Sequence, residues 1–130
     1  MEREDFQNTW EEIVYKGISN YSSLSRQDRV WFNIEPLTTD GLIDHYINYG
    51  AQHNIETLED LKLLGQIEVY DLMYRFNHNF KNGVPSDIDE RNEQIGEFNE
   101  SFIDEIDKKF WELCENLEIA LLNFIKENFS

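Results

Sequence analysis

Apolar side chains recur three and four residues apart through nearly the whole chain, the spacing that gathers them on one side of an α-helix. Phe6, Trp10, Ile13, Val14 and Ile18 follow it, with Gly17 and Asn20 near the end of that segment. Ser25 stands where it can cap a second helix carrying Val30, Trp31 and Ile34, and Pro36 is expected to end that helix. Thr39 is expected to cap a third, with Leu42, Ile43, Tyr46 and Ile47 facing inward and Gly50 as the stop. Thr57 and Asp60 have the spacing of a capping box, and Leu58, Leu61 and Leu64 then run to Gly65. From Gln66 to Phe80, Ile67, Val69, Tyr70, Met73, Tyr74, Phe76 and Phe80 lie nearly all round the wheel, which predicts a central helix. Lys81 to Pro85 reads as a loop, and Ser86 as the cap of a long acidic helical region that reaches the C-terminus. Two prolines and six glycines in 130 residues are too few for a strand-and-turn protein. The expected fold is all-α, a single helical domain over residues 1–130.

Composition says that these helices can pack. The chain is 40% hydrophobic and holds three Trp, six Tyr and nine Phe, so it is not the aromatic-poor acidic chain that stays disordered. Its net charge of −16 repels nucleic acid and anionic membranes and attracts basic partners. No apolar run is long enough for a transmembrane span, and the acidic opening Met1 to Asp5 lacks the basic start of a signal peptide. The lone Cys114 excludes an internal disulfide and fits a reducing cytoplasm, with the residue expected to pack as a small apolar side chain.

Motifs for catalysis are missing. His45, His53 and His78 have no metal-ligand spacing, and Cys114 has no partner for a zinc site. Asp87-Ile88-Asp89 begins like a calcium loop, but Arg91 and Asn92 stand where an oxygen ligand and a glycine are required. Asp44 and His45 are adjacent in sequence and diverge by about 100° on a helix, so they do not form an acid–base pair. His45 is expected to pack or hydrogen-bond at a helix surface. No enzymatic activity, metal or cofactor is expected.

The acid is unevenly placed. From Ser86 to Glu118 twelve carboxylates are opposed by Arg91, Lys108 and Lys109. Within that stretch Glu90, Glu93, Glu97, Glu100, Asp104 and Asp107 recur at intervals of three and four residues. Ile88, Ile95, Phe98, Phe102, Ile106 and Phe110 follow the same period on the opposite side. On a continuous helix the carboxylates form a row with about 4.5 to 6 Å of rise between neighbours. DNA presents a phosphate every ~3.4 Å on each strand, a comparable and tighter pitch. Gly96 and Asn99 are the positions where the row can break. Like charges at this spacing destabilise the helix, so the row predicts a protein that gains stability as pH falls from neutral toward about 5. Trp111 falls near the row and could serve as an aromatic anchor or be covered by the N-terminal helix.

Thr39-Asp40-Gly41-Leu42-Ile43-Asp44-His45-Tyr46-Ile47-Asn48-Tyr49-Gly50 resembles the signature of the DNA-mimic protein nineteen-like family of small bacterial helical proteins. Gly41, Tyr46, Asn48 and Gly50 match it, whereas Thr39-Asp40, Leu42 and Asp44 replace Asn-Gly, Phe and Gln. Leu63-Leu64-Gly65, the loop from Phe80 to Pro85, Arg91 and the region Asp107 to Phe110 also fit, so the resemblance covers about residues 25 to 128. It implies an all-helical fold and a homodimer. It also implies binding to a basic DNA-binding protein, such as a transcription regulator, through an acidic surface that imitates DNA. The partner-binding residues expected are Glu90, Glu93, Glu97, Glu100, Asp104, Asp107 and Trp111. The other reading of the same acidity is an immunity-type or adaptor protein that neutralises one basic toxin or enzyme.

Overall fold

Seven stretches of the chain wind into α-helix in the computed structural model, which describes residues 3–129; Met1, Glu2 and Ser130 lie outside the described residues. The helices are α1 (Gln7–Ser19), α2 (Arg26–Asp40), α3 (Leu42–Ile47), α4 (Asn54–Leu63), α5 (Ile67–Asn77), α6 (Ile88–Ile95) and α7 (Glu100–Phe129). Among the described residues there is no β-strand, and the fold is all-α as the periodicity predicts.

Local chemistry explains several boundaries. Ser25 caps α2 by accepting a hydrogen bond from the Asp28 amide at 3.1 Å. After α4 the Gln66 amide bonds the Leu61 carbonyl and the Gly65 amide bonds Lys62, the paired bonds of a Schellman turn. Gly65 is the residue with φ of +72° that this turn requires.

Other boundaries differ from expectation. Pro36 does not end α2 but lies inside it. It lacks the amide that would bond Phe32, yet α2 packs against both α4 and α7 and buries Ile34, Leu37 and Thr38 around the proline. Thr39 therefore caps nothing; its hydroxyl donates back to the Glu35 carbonyl within α2. Thr57 likewise sits inside α4 and donates to the His53 carbonyl, and Asp60 is a buried ion rather than a capping side chain. Asp87, not Ser86, caps α6. Ile18 and Ile47 point outward, 78% and 40% exposed.

The longest helix is α7. Ile106, Phe110, Cys114, Leu117, Leu121 and Ile125 run along its buried side, and it packs against α2, α3 and α5. At about 1.5 Å per residue its thirty residues span roughly 45 Å. α5 buries Val69, Leu72, Met73 and Phe76 but leaves Ile67 and Tyr74 half exposed, so its apolar wheel is only partly used. Cys114 is buried, as a small apolar residue there should be. At the other end Trp31 is sandwiched between Trp10 and Phe129, with ring centroids 5.3 and 5.0 Å away.

Candidate functional site

The acidic helical region is two helices, not one. Gly96 ends α6, and Asn99 starts α7 by accepting from the Ser101 amide at 2.8 Å, a typical asparagine cap. Between them Phe98 turns inward onto Phe76 and Phe80. The straight six-residue row is thereby divided: Glu90 and Glu93 lie on α6, Glu97 in the turn, and Glu100, Asp104 and Asp107 on α7. All are exposed except Asp107, which is half-buried.

These six share one property. Among the described residues none of them makes an ion pair, although Glu105 on the same helix contacts Lys109 at 3.0 Å and Arg75 at 3.6 Å. Those two cations hold the Glu105 carboxyl below its usual range, Lys109 contributing most. Arg75 and Lys109 thus serve Glu105, and among the described residues no ion pair reaches the row.

Arg91 does not oppose the row at all. It is fully buried and faces inward from α6, with Ile88 and Ile95 three residues before and four after it. Its Nε donates to the Tyr46 carbonyl at 2.6 Å, Nη1 to Pro85 and Ser86, and Nη2 to Asn48. Asn92 adds a bond to the Ile47 carbonyl at 3.2 Å. The short helix α3 leaves its last carbonyls without intrahelical donors, and α6 supplies those donors. Arginine suits this place because its planar fork reaches several oxygens at once and stays charged even where burial lowers its pKa.

Trp111 is 46% exposed. Its ring lies against Gly41, the junction between α2 and α3, where a Cβ would come within 2.8 Å of the indole. Gly41 also has φ of +94°, so glycine is required there twice over. Leu42 and Tyr46 after it are fully buried. The segment Thr39 to Gly50 is therefore a structural hinge-pin that receives α7 on one side and α6 on the other. Residues 22–128 match the family described as DMP19-like protein. The chain belongs to the DMP19-like family. No curated protein and no solved structure is detectably similar to it.

The family's segment also carries a polar seam that the sequence concealed. His45 is buried rather than at a helix surface, and its Nε2 lies 3.0 Å from Asn54 Nδ2. Asn77 donates to Asn54 Oδ1 at 2.7 Å, and the Tyr46 hydroxyl donates to Asn77 Oδ1 at 2.6 Å. Burial, with the charge of Arg91 nearby, pushes the His45 imidazole down to about 3. One signal for this seam was available: Asn77 stands four residues after Met73 and three before Phe80, a polar residue on an apolar face. Farther along α4, buried Asp60 accepts from Arg29 at 2.7 Å and Asn33 at 3.0 Å and forms an ion pair with Arg26 at 3.2 Å.

Among the described residues no helix is long and apolar enough to cross a membrane. No group of three or more described His, Cys, Asp or Glu side chains is placed to hold a metal ion.

Proposed function

We propose that this chain is a non-enzymatic, cytoplasmic DNA mimic: a protein that captures a basic DNA-binding protein, such as a transcription regulator, by offering carboxylates in place of phosphates. The observation that carries this reading is the set of six carboxylates on α6, the following turn and α7 that make no ion pair among the described residues. Successive charges on each helix rise about 4.5 to 6 Å apart, close to the pitch of a phosphate strand. Membership of the DMP19-like family supports the same reading. Half-exposed Trp111, one turn beyond Asp107, supplies the aromatic contact that charge alone lacks. That contact also suits an immunity-type protein against one basic toxin or enzyme, the second reading.

Pull-down from lysate at low salt, repeated at high salt, tests the first reading. Recovery of a nucleic-acid-binding protein that salt releases supports it, and recovery of a single basic toxin or enzyme favours the second. With the partner in hand, changing Glu93, Glu97, Glu100 and Asp104 together to amides is expected to weaken binding by about 1 to 4 kcal/mol, chiefly by slowing association. The control variant places amides at Glu11, Glu12, Glu68 and Asp71, all exposed and off the row. Equal losses from both variants would assign the interaction to bulk charge and end the mimic reading at this face.

A further inference from the structure

A cavity of about 700 Å³ opens between α1 and the segment running from α2 through α3 to the 3-10 turn Gly50–His53. Its wall is largely aromatic and aliphatic, with Trp10, Val14, Tyr21 and Phe32 among the lining residues, and exposed Ile18 and Tyr49 stand at its edge. The volume lies within the range of sites for small organic molecules, which are mostly apolar with a few directing polar groups.

One such group is built in. Asn54 Nδ2 can only donate, so His45 Nε2, which it meets, must accept. The buried imidazole is neutral, and its proton is therefore on Nδ1. Nδ1 lies beside Gly50, where a Cβ would stand 2.8 Å away, and both His45 and Gly50 line the cavity. Among the described residues no acceptor takes this N–H, although the ring is 6% exposed. The absence of a side chain at position 50 keeps the donor open to the cavity. Asp44 is the charged residue on the wall, and with the chain's net charge of −16 it disfavours an anion.

We propose that this cavity is a binding site for a neutral aromatic molecule bearing a carbonyl-type acceptor, which stacks among the aromatic side chains and accepts a hydrogen bond from His45 Nδ1. The site is separate from the acidic face and does not depend on the function assigned to it.

The test uses the full chain at pH 7.5 and two uncharged fluorescent probes: 6-propionyl-2-(dimethylamino)naphthalene, which has the ketone, and 2-(dimethylamino)naphthalene, which lacks it. The ketone probe is expected to bind saturably, one to one, with blue-shifted emission, and to shift the amide resonances of Gly17, Gly41 and Gly50, which line the cavity. The ketone-free probe should bind about fivefold to tenfold more weakly, the value of one hydrogen bond. Val14→Trp fills the cavity from α1 and should abolish binding, and Gly50→Ala should remove the preference for the ketone. Absence of saturable binding, equal affinity for the two probes, or unchanged binding by folded Val14→Trp would overturn the proposal. Should Val14→Trp not fold, the resonances shifted in the unaltered protein decide the matter, and shifts confined to another part of the chain would overturn it.

Discussion

On the outer side of α6, Glu90 and Glu93 stand in solvent with no cation among the described residues against them. On the inner side of the same helix, Arg91 is wholly buried and donates to four carbonyls. Two turns of one helix thus hold charge in opposite ways. The outer charges are screened by water and contribute little to stability, so they are free to act on a partner. The inner charge is bound by fixed dipoles, and removing it is expected to destabilise the fold around it. The comparison teaches that in this chain surface charge is left free of the fold, whereas buried charge is held by it.

The strongest way to break that division is Arg91→Met, which keeps the bulk of the side chain and removes every donor. The expected loss is about 3–5 kcal/mol, because the buried Tyr46 carbonyl and the partly buried carbonyls of Asn48, Pro85 and Ser86 all lose their donor. Urea unfolding gives the number, and a loss under about 1 kcal/mol would mean that water replaces the guanidinium and the inner charge is dispensable.

Next in size is Asp60→Ala. Arg29 and Asn33 lose their buried acceptor, and about 2–4 kcal/mol of stability should go with it. The companion change Glu59→Ala, whose carboxylate is exposed and 3.6 Å from the same Arg29, is expected to alter stability by less than about 0.5 kcal/mol. Similar losses from the two neighbours would erase the distinction between inner and outer charge.

Acid sharpens it. Burial lowers His45 from its ordinary value of 6.5 to about 3, so between those limits the unfolded chain binds a proton that the native state excludes. Stability is full above pH 6.5 and falls as pH drops below it, by about 2 kcal/mol at pH 5. Burial lowers His53 as well and adds to the same trend. The sign is opposite to that expected from repulsion within the carboxylate row. Unfolding midpoints at pH 7.5, 6 and 5, compared between the unaltered chain and His45→Gln, isolate the histidine. A chain whose midpoint rises toward pH 5 would show that the outer carboxylates dominate after all.

The smallest effect belongs to the row itself. The four amides at Glu93, Glu97, Glu100 and Asp104 should change unfolding stability by less than about 0.5 kcal/mol while binding falls several-fold. Loss of stability comparable to the loss of affinity would show that these side chains do more than meet a partner.

Short-range chemistry was readable in the sequence, and long-range chemistry was not. Ser25 needs only the amide three residues on, and Gly65 only its own turn, so both could be placed from local spacing. Pro36 was misread because the packing of α4 and α7 around α2, absent from any local window, outweighs the lost bond. The carboxylate row was legible as composition and period, but its division at Gly96 to Asn99 depends on Phe98 finding Phe76 and Phe80. His45, Asn54 and Asn77 come together from three helices, and no spacing announces that meeting. Arg91 reads in the sequence as a cation opposing the acidic stretch, because two of its partners lie 43 and 45 residues earlier in the chain.

That separation has a consequence for the order in which the molecule forms. Bringing residue 91 to residues 46 and 48 closes a long loop, at an entropic cost of about 3 kcal/mol before any bond forms. α6 has eight residues and α3 six, both too short to persist alone in water, whereas α7 with thirty can form from its own sequence. On that ground α7 is expected to form first, and α3 and α6 to arrive together as one late cooperative step. In amide hydrogen exchange α3 and α6 should open as a unit while the middle of α7 stays protected. Half of the acidic face should thus form with the longest helix, and the other half should depend on a single arginine remaining seated.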